Sequence, residues 1–261
     1  MHPILFHIGH LSFPTFGLLA ALGLMAALSL ALRCAPMAHL SPDALWNTTL
    51  FAAVAAFTLS RLLLIVTNVR SFLSYPILLL TLPSLTGIGL LLTGVATFVY
   101  LRVRGIPVLD ALDAWAAPAT LLWSFLALGH LAEGSDPGLP SRAIWAVRNP
   151  PDPDLQQPVG MFAAAVALVL TAILVHFLRR GDHRSGHAAS LALLLAGIAQ
   201  FGLSFLRQPY PYAPDAPPFP LDPIQFLGLG MVVASGLLWV ITSSRAARPI
   251  SPLPGHPLRG S

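Results

Sequence analysis

The chain has 261 residues, 56% of them apolar and only 9% charged, with 14 basic and 10 acidic side chains. A soluble domain carries roughly a quarter charged residues, and a disordered chain needs low hydrophobicity with high charge, so both are excluded. A lone cysteine, Cys34, excludes a disulfide scaffold, and a net charge of +4 carried entirely by arginines scattered over short loops excludes a nucleic-acid partner. An all-α integral membrane protein remains, one transmembrane domain over residues 1–261.

A spanning helix needs about 20 predominantly apolar residues. Seven such spans are predicted, at about 12–32, 46–66, 85–101, 111–131, 159–178, 188–206 and 223–243. The first has no basic region before it and no small-residue cleavage site after it, so it reads as a retained helix and not a signal peptide. The second carries Arg61. The apolar run over 71–101 is too long for one span and contains Pro76 and Pro83, so its first part reads as an interfacial or re-entrant arm. The fourth span has Asp113 at its edge. Pro-rich stretches at 149–154, 209–212 and 217–218 read as surface loops between spans. The spans are apolar all round, as lipid-embedded helices are, and lack the short alternating segments of a membrane barrel.

Arginine placement sets the orientation. Arg33, Arg102, Arg104, Arg179, Arg180, Arg184, Arg245, Arg248 and Arg259 fall in one set of loops, and Arg70, Arg142, Arg148 and Arg207 in the other. Cytoplasmic loops collect arginine, so the first set faces the cytoplasm. Seven spans then put the N-terminus outside and the C-terminus in the cytoplasm.

An ionisable group inside a membrane helix marks a functional site by default. Arg61 can bind a lipid phosphate bidentately or snorkel to the headgroup region. His130, Glu133 and Asp136 cluster near the outer end of the fourth span among Gly129, Gly134 and Gly138. That group can supply a general base and an anion-binding backbone, or form an ordinary polar helix exit. Gln200 and Gln225 suit interhelical hydrogen bonds, and His176 an interfacial place. His2, His7 and His10 lack a nearby cysteine or carboxylate, so no metal is assigned, and no cofactor is called for. Cys34 serves packing or juxtamembrane palmitoylation.

The order of these features resembles the bacterial prolipoprotein diacylglyceryl transferase family, from Ile8 to about Ile241. Ile8-Gly9 with Phe16-Gly17-Leu18 is similar to the family's I-G … Y-G-L opening. Ser60-Arg61 and Asn68 match its G-R … N. Residues 127–138 resemble a loosened form of its signature R-x-G-[NC]-F-x-x-G-x-x-x-G, with Gly129, Gly134 and Gly138 in register. Trp145-Ala146-Val147 follows. Gln157-Pro158 stands where the family has His-Pro, Phe205-Leu206-Arg207-Gln208-Pro209 matches F-x-R-Q-P, and Gln225 matches the glutamine opening the last helix.

The resemblance implies transfer of a diacylglyceryl group from phosphatidylglycerol to the cysteine thiol of a preprolipoprotein, with release of glycerol phosphate. It also implies seven helices and a site near the outer leaflet. Partners follow from it: phosphatidylglycerol or another anionic lipid, and preprolipoprotein signal peptides. Several family positions are replaced: the first-helix tyrosine by Phe16, the third-helix histidine by Thr86, the signature arginine by Ala127 and its asparagine or cysteine by His130. Ser135 stands for an acidic residue or cysteine, Gln157 for the histidine of His-Pro, and Gln200 for the sixth-helix arginine. Two cations and two histidines of that family are thus gone. One reading is a diverged transferase with weak or lost activity, in which Arg61 and Arg207 hold lipid phosphate and His130, supported by Glu133, acts as base. The alternative is a non-catalytic lipid- or protein-binding membrane protein on the same scaffold. A transporter is disfavoured, since repeats and paired broken helices are not evident.

Overall fold

The computed structural model describes residues 4–8, 11–69, 87–148, 154–181, 183–208 and 221–246. Within them run helices α1 (Thr15–Cys34), α2 (Pro42–Thr67), α3 (Gly87–Val103), α4 (Val108–Glu133), α5 (Val159–Arg179), α6 (His187–Ser204) and α7 (Pro223–Ala246). Six of these are long and apolar enough to cross a membrane, and α3, at 17 residues, is a shorter apolar helix. Two small antiparallel ladders accompany them: β1 (Ile4–Ile8) with β2 (Leu11–Pro14), and β3 (Val147–Arg148) with β4 (Leu155–Gln156).

Helix boundaries follow local chemistry more than hydropathy. The first helix starts at Thr15, not at residue 12, because Leu11–Pro14 pairs with β1 as a strand. The second starts at Pro42, four residues earlier than hydropathy suggests. Ser41 accepts a hydrogen bond from the Ala44 N–H, Pro42 occupies the first helical turn, and Asp43 follows. The proline-bearing arm over 71–84, Arg70 and Thr86 lie outside the described residues, as do His2, His10, Arg248, Arg259 and the proline stretches at 149–153, 209–212 and 217–218.

The bundle is built small-side-in. Its buried positions are largely alanine, glycine, serine and threonine, such as Ala163, Ala164 and Ala167 on α5 and Ala111, Ala114 and Ala117 on α4. Val54, Phe57 and Val66 of α2 and Val233 of α7 stay exposed. Lipid tails give no hydrophobic drive to helix pairing, so membrane helices associate through close backbone approach and interhelical hydrogen bonds. Thr120 and Thr171 bond across α4 and α5 at 2.9 Å. Gly89 of α3 lies so close to Ser60 of α2 that a Cβ at 89 would overlap the serine side chain.

The α6–α7 seam shows the principle best. Ser235 Oγ donates to the Ser190 carbonyl at 2.7 Å, and Ser190 Oγ donates to the Ser235 carbonyl at 3.0 Å. Two turns along, a Cβ at Gly197 would sit 2.7 Å from the Gly228 carbonyl oxygen. Gly197→Ala should therefore force the seam apart and cost roughly 1–3 kcal/mol, read as a lowered midpoint of thermal unfolding in detergent. Gly236→Ala, where a Cβ meets nothing within 4 Å, should leave that midpoint unchanged or raised.

Asp113 is the largest surprise in the bundle. It sits inside α4, 1% exposed, and not at a wet edge. Its two carboxylate oxygens accept the backbone N–H groups of Gly186 at 2.6 Å and Ala189 at 2.7 Å. It is thus the N-terminal cap of α6, supplied by another helix. The N-terminus of a helix leaves backbone donors unsatisfied and carries a partial positive charge, so one carboxylate meets both needs.

Candidate functional site

The signature segment ends α4. Gly134, with φ +74°, caps the helix by donating its N–H to the His130 carbonyl at 2.9 Å. The chain then passes between two other segments. Leu139 N–H donates to the Leu206 carbonyl at 2.9 Å, and Gln208 N–H to the Pro137 carbonyl at 3.1 Å. On the other side, Gln157 N–H donates to the Leu139 carbonyl at 2.9 Å and Ser141 N–H to the Leu155 carbonyl at 2.7 Å. Gly138 lies at the crossing, where a Cβ would run into the Gln157 carbonyl. The glycine spacing read from the sequence thus has a backbone reason at this position. Gly129 gives its open side to the Phe16 ring.

A cavity of about 360 Å³ opens beside this crossing, lined by Trp123, Leu126, Ala127 and His130 of α4, Ser135 and Asp136 of the loop, Gln200 of α6, and Arg207. The Arg207 guanidinium pairs with the Asp136 carboxylate at 3.1 Å, both side chains about four-fifths buried. His130 Nδ1 is 2.8 Å from Ser135 Oγ, and its ring lies 4.9 Å from that of Phe16. Four family positions read as replaced, Ala127, His130, Ser135 and Gln200, therefore line one space, with Phe16 packed on its edge.

The expected site residues divide accordingly. Arg207, His130 and Gln200 converge, and Asp136 joins them as the partner of Arg207. Glu133 is exposed and does not line the cavity, and the hydrogen bond of His130 runs to Ser135 instead. Arg61, half-buried on α2, lies over the Phe57 ring at 5.4 Å and is not among the cavity's lining residues. Asn68 closes the end of α2, its side-chain amide donating to the Leu64 carbonyl at 3.2 Å. Gln157 accepts from Trp145 Nε1 at 3.0 Å and donates to Ser141 Oγ at 2.9 Å, which pins the loop between α4 and α5.

The expectation of interhelical bonds for the two glutamines does not hold for Gln225. Its Oε1 accepts from the Asp222 N–H at 3.1 Å, while Asp222 Oδ1 accepts from the Ile224 N–H at 3.2 Å. That is a capping box on α7, and the spacing Asp222-Pro223-Ile224-Gln225 carries its signal in the sequence. Gln200 Oε1 is buried with no hydrogen-bond partner among the described residues, as is Arg207 Nε.

The family model described as prolipoprotein diacylglyceryl transferase matches residues 3–241. A curated relative, the phosphatidylglycerol–prolipoprotein diacylglyceryl transferase of Clostridium tetani (strain Massachusetts / E88), is 22% identical over 218 residues, covering 79% of this chain and 86% of the relative.

Proposed function

Because the chain belongs to the prolipoprotein diacylglyceryl transferase family, we propose that it is a multi-pass inner-membrane protein of lipoprotein biosynthesis whose transfer chemistry is weakened or lost. In this reading it forms one transmembrane unit of seven spans, with the N-terminus outside and the C-terminus in the cytoplasm. Its lipid is phosphatidylglycerol or another anionic diacylglycerol lipid, and its second partner is a preprolipoprotein signal peptide.

The reaction at stake sets the physical requirements. A cysteine thiol gives its proton to a base, the thiolate forms a carbon–sulfur bond with the lipid's glyceryl group, and the carbon–oxygen bond to phosphate breaks. Glycerol phosphate leaves with the electron pair. A base and a cation for the departing phosphate are needed. His130, hydrogen-bonded to Ser135, is the base left to this chain, and Arg61 with Arg207 are the cations.

The observation that carries the reading is the convergence of Arg207, Asp136, His130, Ser135 and Gln200 on one cavity at the crossing of the signature loop. The test is complementation of a bacterial strain lacking its transferase. Weak rescue that disappears with Arg61→Ala and with His130→Ala supports a slow, rewired enzyme. Absence of rescue at any expression level removes the enzyme reading and leaves the second: a lipid-binding protein without transfer. The replacement of both family cations by Ala127 and Gln200 in the same cavity favours that second reading.

A further inference from the structure

A second charged space lies at the end of the bundle opposite the signature loop. The last turns of α3, the turn over 104–107, the first turn of α4 and the far part of α7 enclose a cavity of about 640 Å³. Small-molecule sites run to about 300–1,000 Å³. Arg102 of α3 and Asp110 of α4 are the charged side chains among its described lining residues, and Ser185, just before α6, adds a hydroxyl. The Arg102 guanidinium lies over the Phe98 ring at 5.1 Å and forms no ion pair with Asp110. Each charge has an ordinary role open to it. Asp110 answers the partial positive charge of the α4 N-terminus, which Pro107 leaves without a side-chain cap. Arg102 can snorkel to the headgroup region. Neither role accounts for an open space that both charges line, or for its continuation into the apolar interior.

That continuation is an apolar cavity of about 350 Å³ between α4, α6 and α7, with Leu112 and Leu238 lining both spaces. Farther along, Trp123 and Gln200 join the apolar cavity to the one at the signature loop. Phe98 on α3 and Ile241 on α7 flank the charged cavity, each 47% exposed, so its sides are apolar surface that lipid covers. Charges at the depth of helix ends, an apolar space behind them and apolar flanks together describe a site for an amphiphile entering from the bilayer.

The two charges separate the headgroup classes. A purely anionic headgroup, such as that of phosphatidylglycerol or phosphatidic acid, pairs with Arg102 but brings like charge to Asp110. A purely cationic one has the converse fault. A zwitterion matches both: its phosphate takes the arginine fork and the α4 N-terminus, and its ammonium takes the carboxylate. A primary ammonium donates hydrogen bonds to Asp110 and Ser185, whereas a quaternary one has no N–H to give.

We propose that Arg102 and Asp110 hold a zwitterionic aminophospholipid of the phosphatidylethanolamine class, in the leaflet opposite the signature loop, with one acyl chain passing Leu112 and Leu238 into the apolar cavity. The 26 residues of α4 put this headgroup site about 39 Å from the signature loop at 1.5 Å per residue. It stands whether or not the chain transfers diacylglyceryl groups.

The test is binding of the full chain, purified in detergent, to phosphatidylethanolamine, phosphatidylcholine and phosphatidylglycerol presented singly, read by native mass spectrometry. Phosphatidylethanolamine should bind at least tenfold more tightly than phosphatidylcholine. Arg102→Gln and Asp110→Asn should each weaken it at least tenfold, and Asp110→Asn should tighten phosphatidylglycerol, since the like charge is gone. Leu112→Trp, which narrows the passage between the two spaces, should weaken phosphatidylethanolamine without touching either charge. Arg104→Gln, whose arginine lies over Tyr100 and outside the lining, should change nothing. Thermal unfolding without added lipid confirms that each variant is folded. Equal binding of phosphatidylethanolamine and phosphatidylcholine overturns the ammonium–Asp110 contact and with it the proposal. So does phosphatidylethanolamine binding that both charge variants leave intact. Free phosphoethanolamine displacing the lipid at equal concentration overturns the assignment to a lipid.

Discussion

With phosphatidylglycerol and a lipobox peptide in mixed micelles, this chain should transfer diacylglyceryl at a rate about 10⁴-fold or more below that of its Clostridium tetani relative. The figure follows from the two replaced cations. Loss of one preorganised donor at a developing charge costs on the order of 10²- to 10³-fold, and in the function proposed above Ala127 and Gln200 both stand at such positions. Arg207 does not make up the loss, because Asp136 already holds it at 3.1 Å. Single-turnover transfer, followed by the mass of the peptide, measures the rate. Gln200→Arg should raise it at least tenfold, since that change returns a cation to the cavity lining. A wild-type rate within tenfold of the relative would mean that His130 and Ser135 have rebuilt the site, and the view of a weakened enzyme would fall.

The sequence made the helices legible because length and hydropathy are local properties. Each span read from an uncharged apolar run coincides with a helix to within a few residues. The motif order that resembles the family marks Ala127, His130, Ser135 and Gln200 as departures from its pattern, and all four line one cavity. What escaped was whatever depends on two distant segments meeting. The pairings that bring 137–141 between 155–157 and 206–208 are single bridges, Gly138 with Arg207 and Pro140 with Gln156, too short for any period-2 pattern. Asp136 drew notice as part of a glycine-rich exit, but nothing along the chain pairs it with Arg207, some seventy residues on.

Arg61 shows the opposite case. An arginine in an apolar run is a strong local signal, yet the residues lining the cavity do not include it. Conversely, Gln200 suits an interhelical hydrogen bond by its place in an apolar span, and it lines two adjoining cavities. A buried amide can satisfy a neighbouring helix or a ligand equally well, and only the contacts of the folded chain separate those roles. Gln225 could have been assigned correctly from four consecutive residues.

Asp113→Ala should destabilise the chain by about 3–5 kcal/mol, which makes it the largest stability effect expected of a single substitution here. Two charge-assisted hydrogen bonds, each worth roughly 1.5–3 kcal/mol, disappear, and two buried N–H groups at the start of α6 are left without an acceptor. Asp113→Asn should cost roughly 2 kcal/mol or more, because the amide keeps one acceptor and turns a donor toward the other N–H. Unfolding in detergent, followed by circular dichroism against temperature or denaturant, measures both. The consequence should also reach the cavity, although Asp113 is not one of its lining residues. Gln200 lies 13 residues beyond the first residue of α6, about 20 Å along the helix at 1.5 Å per residue. A helix released at its capped end can shift or rotate against α4 and α7, and the Gln200 amide moves with it. Lipid binding in Asp113→Ala should therefore fall at temperatures where the chain is still folded. Unchanged binding at such a temperature would show that the Ser190–Ser235 and Gly197–Gly228 seam holds α6 in place without its cap.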